Sequence, residues 1–189
     1  MNNFRLIANV DIADIVAEVE VKHDLFFVDT SRQKNVPEQR ETLTIYLRSG
    51  VKPYPPGVEG RDVHESRRTK MYEKFPVATR FLEAFVAETG SELGRATIVS
   101  LRPQGKVYRH IDRGEYYRVR DRYHLVLKSK LGSVLISGDE QVRLKVGECW
   151  WFNNHVPHEA YNDSDEPRIH MIFDVLPKDL VGKVKTKLP

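Results

Sequence analysis

Two histidines and an aspartate have the types and spacing that a metal site requires. His110 and Asp112 lie two residues apart, so on an extended strand end their side chains point to the same side. His158, in the segment NNHVPHEAYN, is the best third ligand. Two histidines and one carboxylate, with the other coordination positions open, form the ligand set of non-haem Fe(II) oxygenases. A His-x-Asp pair by itself often arises by chance, and the alternative is a loop histidine and a turn-forming aspartate before Gly114.

Arg168 opens a predicted strand, RIHMIFDV, whose alternation separates two faces. One face carries Arg168, His170, Ile172 and Asp174, and the other carries Ile169, Met171, Phe173 and Val175. A buried guanidinium is costly unless a carboxylate satisfies it. A dicarboxylate ligand bound through two hydrogen bonds would do so, and the alternative is an ion pair with Asp112 or Asp174. His170 suits either a supporting contact to the site or a hydrogen-bonded core position.

Arg122 and His124 form a second pair two residues apart, in the strand-like segment RYHLVL, so they share a face. The segment between the two pairs, RGEYYRVRD, is predicted to form the rim of a site. Its tyrosines would pack on substrate and its arginines would attract an anion. For those arginines (Arg113, Arg118 and Arg120) a solvated loop is an equally good interpretation.

Composition sets the broad class. The chain has 189 residues, which is enough for a sizeable core and predicts a single domain. With 30 basic and 27 acidic residues the net charge of +3 is too weak to argue for nucleic acid. The lone cysteine, Cys149, excludes an intramolecular disulfide framework or a cysteine zinc cluster and fits a core position in a reducing compartment. The N-terminus lacks a signal-peptide pattern and no window approaches about 18 apolar residues, so we expect a soluble, cytoplasmic protein without a membrane span.

The first half of the chain predicts helices and one strand. Asp11 can cap a helix whose apolar residues follow helical spacing, namely Ile12, Ile15, Val16 and Val19. The segment ETLTIYLRS alternates as a half-buried strand does. A proline- and glycine-rich loop from Gly50 to Lys70 follows and is predicted to be surface or lid material. Pro76 then suits a first helical turn and Gly90 a left-handed helix end.

From Arg95 onward the sequence breaks into short β-like runs, RATIVSLR, YHLVLKS, GSVLIS, QVRLKVG, CWWFN and RIHMIFDV. Several are apolar at consecutive positions, which indicates that both faces are covered. The pattern predicts a mainly β fold with helical backing, a double-stranded β-helix of the jelly-roll, cupin-like kind. Within one domain spanning 1–189 we expect a supporting region with a lid loop (1–94), a β-helix core (95–177) and a C-terminal tail (178–189). Trp150 and Trp151 should face opposite ways, one into the barrel and one toward the helices.

Taken in order, the segments HID, RYHLVL, GECWWFNNHVPHEAYN and RIHMIFD resemble the aspartyl/asparaginyl β-hydroxylase family of 2-oxoglutarate- and Fe(II)-dependent oxygenases. The resemblance covers roughly Arg95 to Val175. It implies that His110, Asp112 and His158 hold Fe(II), as in the branch with a full triad. It also implies that His124 and Arg168 bind the carboxylates of 2-oxoglutarate and that Arg122 binds an acidic group of the prime substrate. Val99 stands at the place of a family serine, with Ser100 one residue further on.

The resemblance implies Fe(II), 2-oxoglutarate and O2 as cofactor and cosubstrates, and hydroxylation of a C–H bond. The substrate would be an amino acid, a small acid, or an Asp- or Asn-type side chain of a protein, and the compact size favours a small molecule. One alternative is a non-catalytic, cupin-like module that binds a metal or an acid. Another is a nucleic-acid oxygenase, which is suggested only by the arginine loop and by Arg67, Arg68 and Lys70.

Overall fold

The computed structural model describes residues 2–52, 54 and 57–184. Its α-helices are α1 (Ala13–Val21), α2 (Ser31–Asn35), α3 (Pro76–Thr89) and α4 (Glu115–Arg118), with short 3-10 helices at His23–Phe27, Pro37–Gln39 and Gly60–Asp62. Its strands are β1 (Phe4–Asn9), β2 (Thr42–Gly50), β3 (Ser66–Arg68), β4 (Glu92–Leu101), β5 (Gly105–His110), β6 (Asp121–Lys128), β7 (Ser133–Ser137), β8 (Glu140–Val142), β9 (Glu148–Phe152), β10 (His158–Asn162) and β11 (Arg168–Leu176).

The strands form two sheets. The larger has the order β1-β9-β6-β11-β4-β2-β3 and the smaller the order β5-β10-β7-β8, and every pairing is antiparallel. Strands that are distant in sequence, such as β4 and β11, lie side by side. The fold is a double-stranded β-helix backed by helices, as predicted.

The two faces of the large sheet have different surroundings. The main core lies between this sheet and the helices, and contains Ile45, Leu47, Ile98, Leu125 and Met171 among others. On β11 the division between faces is as predicted, because Ile169, Met171, Phe173 and Val175 all belong to this core. A second, smaller apolar cluster lies on the other face and includes Phe4, Val126, Leu135, Phe152 and Ala160. Trp151 packs against the first core and Trp150 against the second, which confirms their opposite orientations.

The long helix α3 is closed at both ends by identifiable residues. Gly90 adopts φ 68 at its C-terminal end, as predicted for a left-handed cap. At the other end the carboxylate of Glu18, on α1, accepts the backbone N–H groups of Val77 and Ala78. Glu18 is 9% exposed, so it ties the two helices together at their shared buried face. Asp11 does not occupy the cap position of α1, which is Ile12, but its Oδ1 accepts the N–H of Ala13 at 3.1 Å.

Three elements differ from the sequence expectation. Strand β1 pairs with β9 and extends the large sheet, although its exposed pattern gives no alternation to identify it. The run QVRLKVG forms only the short strand β8 before a turn. Strand β10, which begins at His158, is not among the predicted runs. Strands β1, β2 and β3 join the same sheet as β4 and β11, so residues on both sides of position 94 build the large sheet.

The Gly50–Lys70 segment holds the 3-10 helix and β3, and within it Pro53, Pro55 and Pro56 lie outside the described residues. None of the described helices is sufficiently long and apolar to span a bilayer.

Candidate active site

The proposed metal ligands converge at the end of the small sheet. His110 closes β5 and His158 opens β10, and the two are direct cross-strand partners. Their ring centroids are 4.3 Å apart. Asp112, two residues beyond β5, brings its carboxylate oxygens to 3.9 Å from Nε2 of each histidine. Potential ligand atoms of all three residues lie within 4.8 Å of one another, so the sheet pairing assembles what the sequence keeps 46 residues apart (158 − 112).

Each histidine is oriented by a backbone carbonyl. Nδ1 of His110 lies 2.6 Å from the carbonyl of Tyr108, and Nδ1 of His158 lies 3.0 Å from the carbonyl of Val156. A carbonyl oxygen can only accept, so the ring proton sits on Nδ1 and Nε2 keeps its lone pair. Burial lowers the pKa of His158 to about 4 despite the nearby charge of Asp112, which keeps its ring neutral as a ligand must be.

Asp112 is held in the carboxylate form by its neighbours. Its Oδ2 accepts hydrogen bonds from Arg122 Nη1 and, at 3.2 Å, from the side-chain amide of Asn154. Burial is the largest single effect and raises the pKa of Asp112, but Arg122 and the smaller contributions of the other neighbours together lower the pKa below its ordinary value. The Asn154 side chain is itself buried, with 2% of its surface exposed. These contacts fix the third ligand.

Arg122 lies between two acids. In addition to Asp112 it contacts Asp174, with Nε to Oδ1 at 2.7 Å and Nη2 to Oδ2 at 3.1 Å. Asp174 is its cross-strand neighbour on β11. Burial lowers the pKa of Arg122, but the two carboxylates raise it well above its ordinary value. The side chain also lines the cavity beneath the ring of Tyr117, 4.9 Å away.

Arg168 is buried without an acidic partner. It is 7% exposed, and its hydrogen bonds to described residues are with the imidazole of His170, at 3.0 Å from Nε and 3.2 Å from Nη2. The expected alternative, an ion pair with Asp112 or Asp174, is not formed because both acids are paired with Arg122. Burial lowers the pKa of Arg168 to about 10, so the guanidinium is still charged at neutral pH. An anion is the missing partner for this group.

His124 and His170 continue the same chain of contacts. Their Nδ1 atoms are 3.2 Å apart, and both side chains line the cavity. The guanidinium of Arg168 can only donate, and it faces both ring nitrogens of His170, with Nε 3.0 Å from Nε2 and Nη2 3.2 Å from Nδ1. His170 therefore lies between the guanidinium of Arg168 and the ring of His124. Burial, reinforced by Arg168, lowers the pKa of both rings well below the ordinary value, so both are neutral.

A cavity of about 550 Å³ connects these groups, which is within the range of small-molecule pockets. It lies on the face of the large sheet opposite the helical core and is bordered by the candidate metal ligands His110 and His158. The basic residues along it outnumber the acidic ones, namely Arg32, Arg48, Lys52, Lys70, Arg95, Arg122 and Arg168 against Asp29, Glu159 and Asp174. The cavity therefore favours anionic ligands.

Two residues of the segment RGEYYRVRD, which was predicted to form the rim of the site, are buried and have structural contacts. Tyr116 is fully buried and lies between the guanidinium groups of Arg95 and Arg120, at 3.9 and 4.1 Å from its ring centre. Arg120 is 3% exposed and hydrogen-bonds to His64, so it is neither a solvated loop arginine nor an anion attractor. Tyr116 therefore cannot pack on substrate, whereas Tyr117 lines the cavity. Arg118 is exposed and paired with Glu115.

Two hydroxyl-bearing residues on neighbouring strands, Ser100 and Thr44, differ in whether they face the cavity. Ser100 pairs with Leu43 and Ile169 on the helix side of β4, so it faces away from the cavity, while Val99 lines it. Thr44, on β2, lines the cavity next to Val99. Sequence reasoning missed Thr44 as a site residue, although the alternation of ETLTIYLRS had placed it on the polar face of that strand.

Three solved structures share the fold. An oxidoreductase of the 2OG-Fe(II) oxygenase family from Burkholderia pseudomallei has a TM-score of 0.57 and 11% identity, over 89% of this chain and 91% of that one. A prolyl-4-hydroxylase from Pseudomonas putida has a TM-score of 0.50 and 15% identity, over 93% and 92%. The viral collagen prolyl hydroxylase of Paramecium bursaria Chlorella virus-1, in a 2OG complex, has a TM-score of 0.50 and 12% identity, over 92% and 95%. At these identities the similarity establishes the fold.

Fold and family place the protein among the 2-oxoglutarate- and Fe(II)-dependent hydroxylases. A model of the aspartyl/asparaginyl β-hydroxylase family matches residues 15–177, and the chain belongs to that family. No curated protein matches it significantly.

The residues present fit the cofactor of this class. Two imidazoles whose Nδ1 atoms face backbone carbonyls and one oriented carboxylate are the nitrogen and oxygen donors that Fe(II) takes in oxygenases. A buried guanidinium without an acid stands in the same cavity, as a dicarboxylate cosubstrate requires.

Proposed function

We propose that the protein hydroxylates a C–H bond of an amino acid, a small acid or an Asp- or Asn-type protein side chain, using Fe(II), 2-oxoglutarate and O2. The single observation that carries the proposal is Arg168, a buried guanidinium without an acidic partner in the cavity that His110 and His158 border. Iron bound there would supply the oxidative chemistry, and the protein supplies positions, charges and exclusion of water.

The metal would be held by His110, Asp112 and His158. The Nδ1 atoms of the two histidines contact backbone carbonyls, and the carboxylate of Asp112 accepts hydrogen bonds from Arg122 and Asn154. Arg168 and His124 would bind 2-oxoglutarate through its carboxylates. This second set argues against a simple metal-binding module, because a metal store needs no cavity built for a dicarboxylate.

Arg122 would contact the prime substrate. Three of its five N–H donors are directed at Asp112 and Asp174, so an acidic substrate group would use the remaining ones on the cavity side. The excess of basic side chains along the cavity supports an acidic or carboxylate-bearing substrate. Of the arginines that suggested nucleic acid, Arg67 and Arg68 are paired with Glu65 and Glu83, which weakens that alternative.

The metal assignment is tested by iron analysis of three variants. His110→Ala and His158→Ala should each lose most of the bound Fe(II), because the site is left with two ligands. His155→Ala is the matched control, since His155 is exposed in the same segment as His158 and should bind iron like the wild type. Folded His110→Ala and His158→Ala proteins with full iron occupancy would refute the assignment.

The role of Arg122 is tested by substrate-stimulated succinate release. Acidic amino acids, their derivatives and short acidic peptides are screened with the wild type, and any hit is repeated with Arg122→Lys. Lysine keeps a charge between Asp112 and Asp174 but cannot reproduce the planar fork, so stimulation should be lost while 2-oxoglutarate binding stays. Arg109→Lys, an exposed arginine paired with Glu159, is the control. Full stimulation in Arg122→Lys would assign Arg122 to the scaffold.

A further inference from the structure

Thr44 carries a buried hydroxyl that none of the described residues satisfies. The residue lies in the middle of β2 and is 2% exposed, and its Oγ1 has no hydrogen-bond partner among the described residues. It lines the cavity. The neighbouring threonines are different, because Thr42 donates to the carbonyl of Gln39 at 2.7 Å and Thr97 to that of Ile172 at 3.4 Å. A buried hydroxyl is normally bonded, so Thr44 points to an absent ligand.

The sheet register places Thr44 in the row of His170, and the adjacent row contains Thr42, Leu101 and Arg168. Thr44 pairs with Val99 on β4, and Val99 pairs with His170 on β11, so these three residues form one row across the sheet. The guanidinium of Arg168 lies beside His170, 3.0 Å from its Nε2. Val99 contributes only apolar atoms between them. The free hydroxyl and the unpaired guanidinium are therefore directed at the same part of the cavity, on the inner face of the large sheet.

We propose that Thr44 donates a hydrogen bond to the carboxylate that Arg168 binds, the one at the end of 2-oxoglutarate remote from the metal. The inference rests on the proposed function and adds a specificity residue to it. A carboxylate accepts up to about four hydrogen bonds, so the two of a guanidinium fork leave capacity for a hydroxyl. The metal would take the 2-oxo acid end, so the carboxylate that reaches Arg168 and Thr44 is the remote one. This contact would favour a charged remote end over an apolar chain.

The test compares Thr44→Val with Thr42→Val. Both remove a buried hydroxyl from the same face of β2, but Thr42 lies outside the cavity lining and already has a protein partner. Affinities for 2-oxoglutarate are measured by anaerobic calorimetry on the Mn(II)-loaded proteins. A second probe, 2-oxopentanoate, keeps the metal-binding end and replaces the remote carboxylate with a methyl group. Melting temperatures of the metal-free proteins are measured in parallel.

Thr44→Val should weaken 2-oxoglutarate binding by about tenfold or more, as expected for a hydrogen bond to a charged group, and leave 2-oxopentanoate binding unchanged. Its melting temperature should not fall, because no protein bond is lost. Thr42→Val should show the reverse, with unchanged affinity and a melting temperature lower by roughly 2–4 °C. Thr44→Ser should retain most of the wild-type affinity for 2-oxoglutarate, since it keeps the hydroxyl.

Wild-type 2-oxoglutarate affinity in Thr44→Val would overturn the assignment of Thr44 alone. An equal loss for both probes would also overturn it, because the effect would then come from packing and not from the carboxylate. A wild-type protein that binds Mn(II) but not 2-oxoglutarate would overturn the proposed function and this inference together.

Discussion

Arg122 and Arg168 are two buried arginines on adjacent strands, yet their partners are opposite. Arg122 is compensated by Asp112 and Asp174, and Arg168 has a neutral imidazole only. A buried ion is stabilised by a counter-ion and destabilised without one. Arg122 therefore contributes to the folded state and orients Asp112, whereas Arg168 costs stability until an anion binds. This difference separates a guanidinium that is compensated within the fold from one that requires an anionic ligand.

The difference predicts opposite effects on stability. In the metal-free protein Arg122→Met should lower the free energy of unfolding by about 3–5 kcal/mol, because two buried carboxylates lose their cation. Arg168→Met should leave that free energy unchanged or raise it, because an unpaired buried charge is replaced by an apolar chain. Urea denaturation of both variants measures the difference. A loss of several kcal/mol in Arg168→Met would show that Arg168 has a protein counter-ion in solution.

Among the structural elements, three arginines connect residues 60–66 to the large sheet by donating hydrogen bonds to backbone carbonyls of that segment. Arg95, on β4, donates to the carbonyls of Gly60 and Val63. Arg120, before β6, donates to the carbonyl of His64 at 3.3 Å and, through Nη1, to His64 Nδ1 at 3.0 Å. Arg48, on β2, donates to the carbonyl of Ser66 at 2.8 Å. Three separate strands or their flanks therefore hold residues 60–66, and the cavity wall includes two of these arginines, Arg48 and Arg95.

Removing one of these ties should loosen the segment locally. Arg120→Met keeps apolar bulk beside Tyr116 but removes the donors to His64, so amide hydrogen exchange of residues 60–66 should become faster. The exchange of β11 should stay unchanged, since its ladder bonds are independent of Arg120. Arg118→Met is the control, because Arg118 is exposed and pairs only with Glu115. Equal exchange in both variants would show that Arg120 does not anchor the segment.

The stability of the whole molecule should depend on pH, because the site contains two buried, neutral histidines, His124 and His170. Burial and the charge of Arg168 lower the pKa of His124 and of His170 well below the ordinary value. The unfolded chain therefore binds more protons than the folded protein below about pH 6.5. The stability that these rings contribute is present above that pH and is lost as the pH falls.

This linkage gives a measurable slope. Between about pH 7 and pH 5 each such ring should reduce the free energy of unfolding by roughly 2 kcal/mol. His170→Asn should remove about that amount of the acid-induced loss, and His155→Gln, which changes an exposed residue, should leave the loss as in the wild type. Denaturant titrations of the metal-free proteins at the two pH values measure it. Identical pH dependence in both variants would exclude His170 as a buried neutral group.

Local periodicity and the residue types that carry chemistry could be predicted from the amino-acid sequence. Alternation on RIHMIFDV assigned Arg168 and His170 to one face and Met171 and Phe173 to the other, and the structure confirms this because a strand has a period of two wherever it lies. The end of α3 at Gly90 was likewise predictable, since left-handed geometry favours glycine. The fold class and family also followed from the order of motifs.

The partner of each polar group depends on how distant strands pair in three dimensions and could not be predicted from the sequence. Alternation placed Thr44 on the polar face of β2, but it could not tell whether that face meets solvent or a cavity. From the sequence, either Asp112 or Asp174 could form an ion pair with Arg168. In the structure both form ion pairs with Arg122, which is the cross-strand neighbour of Asp174. Strand β1 has no periodic signal because its residues after Phe4 are exposed on both faces. The physical reason is common to all three. Periodicity is a property of neighbours in the chain, whereas burial and pairing depend on strands brought together from distant positions.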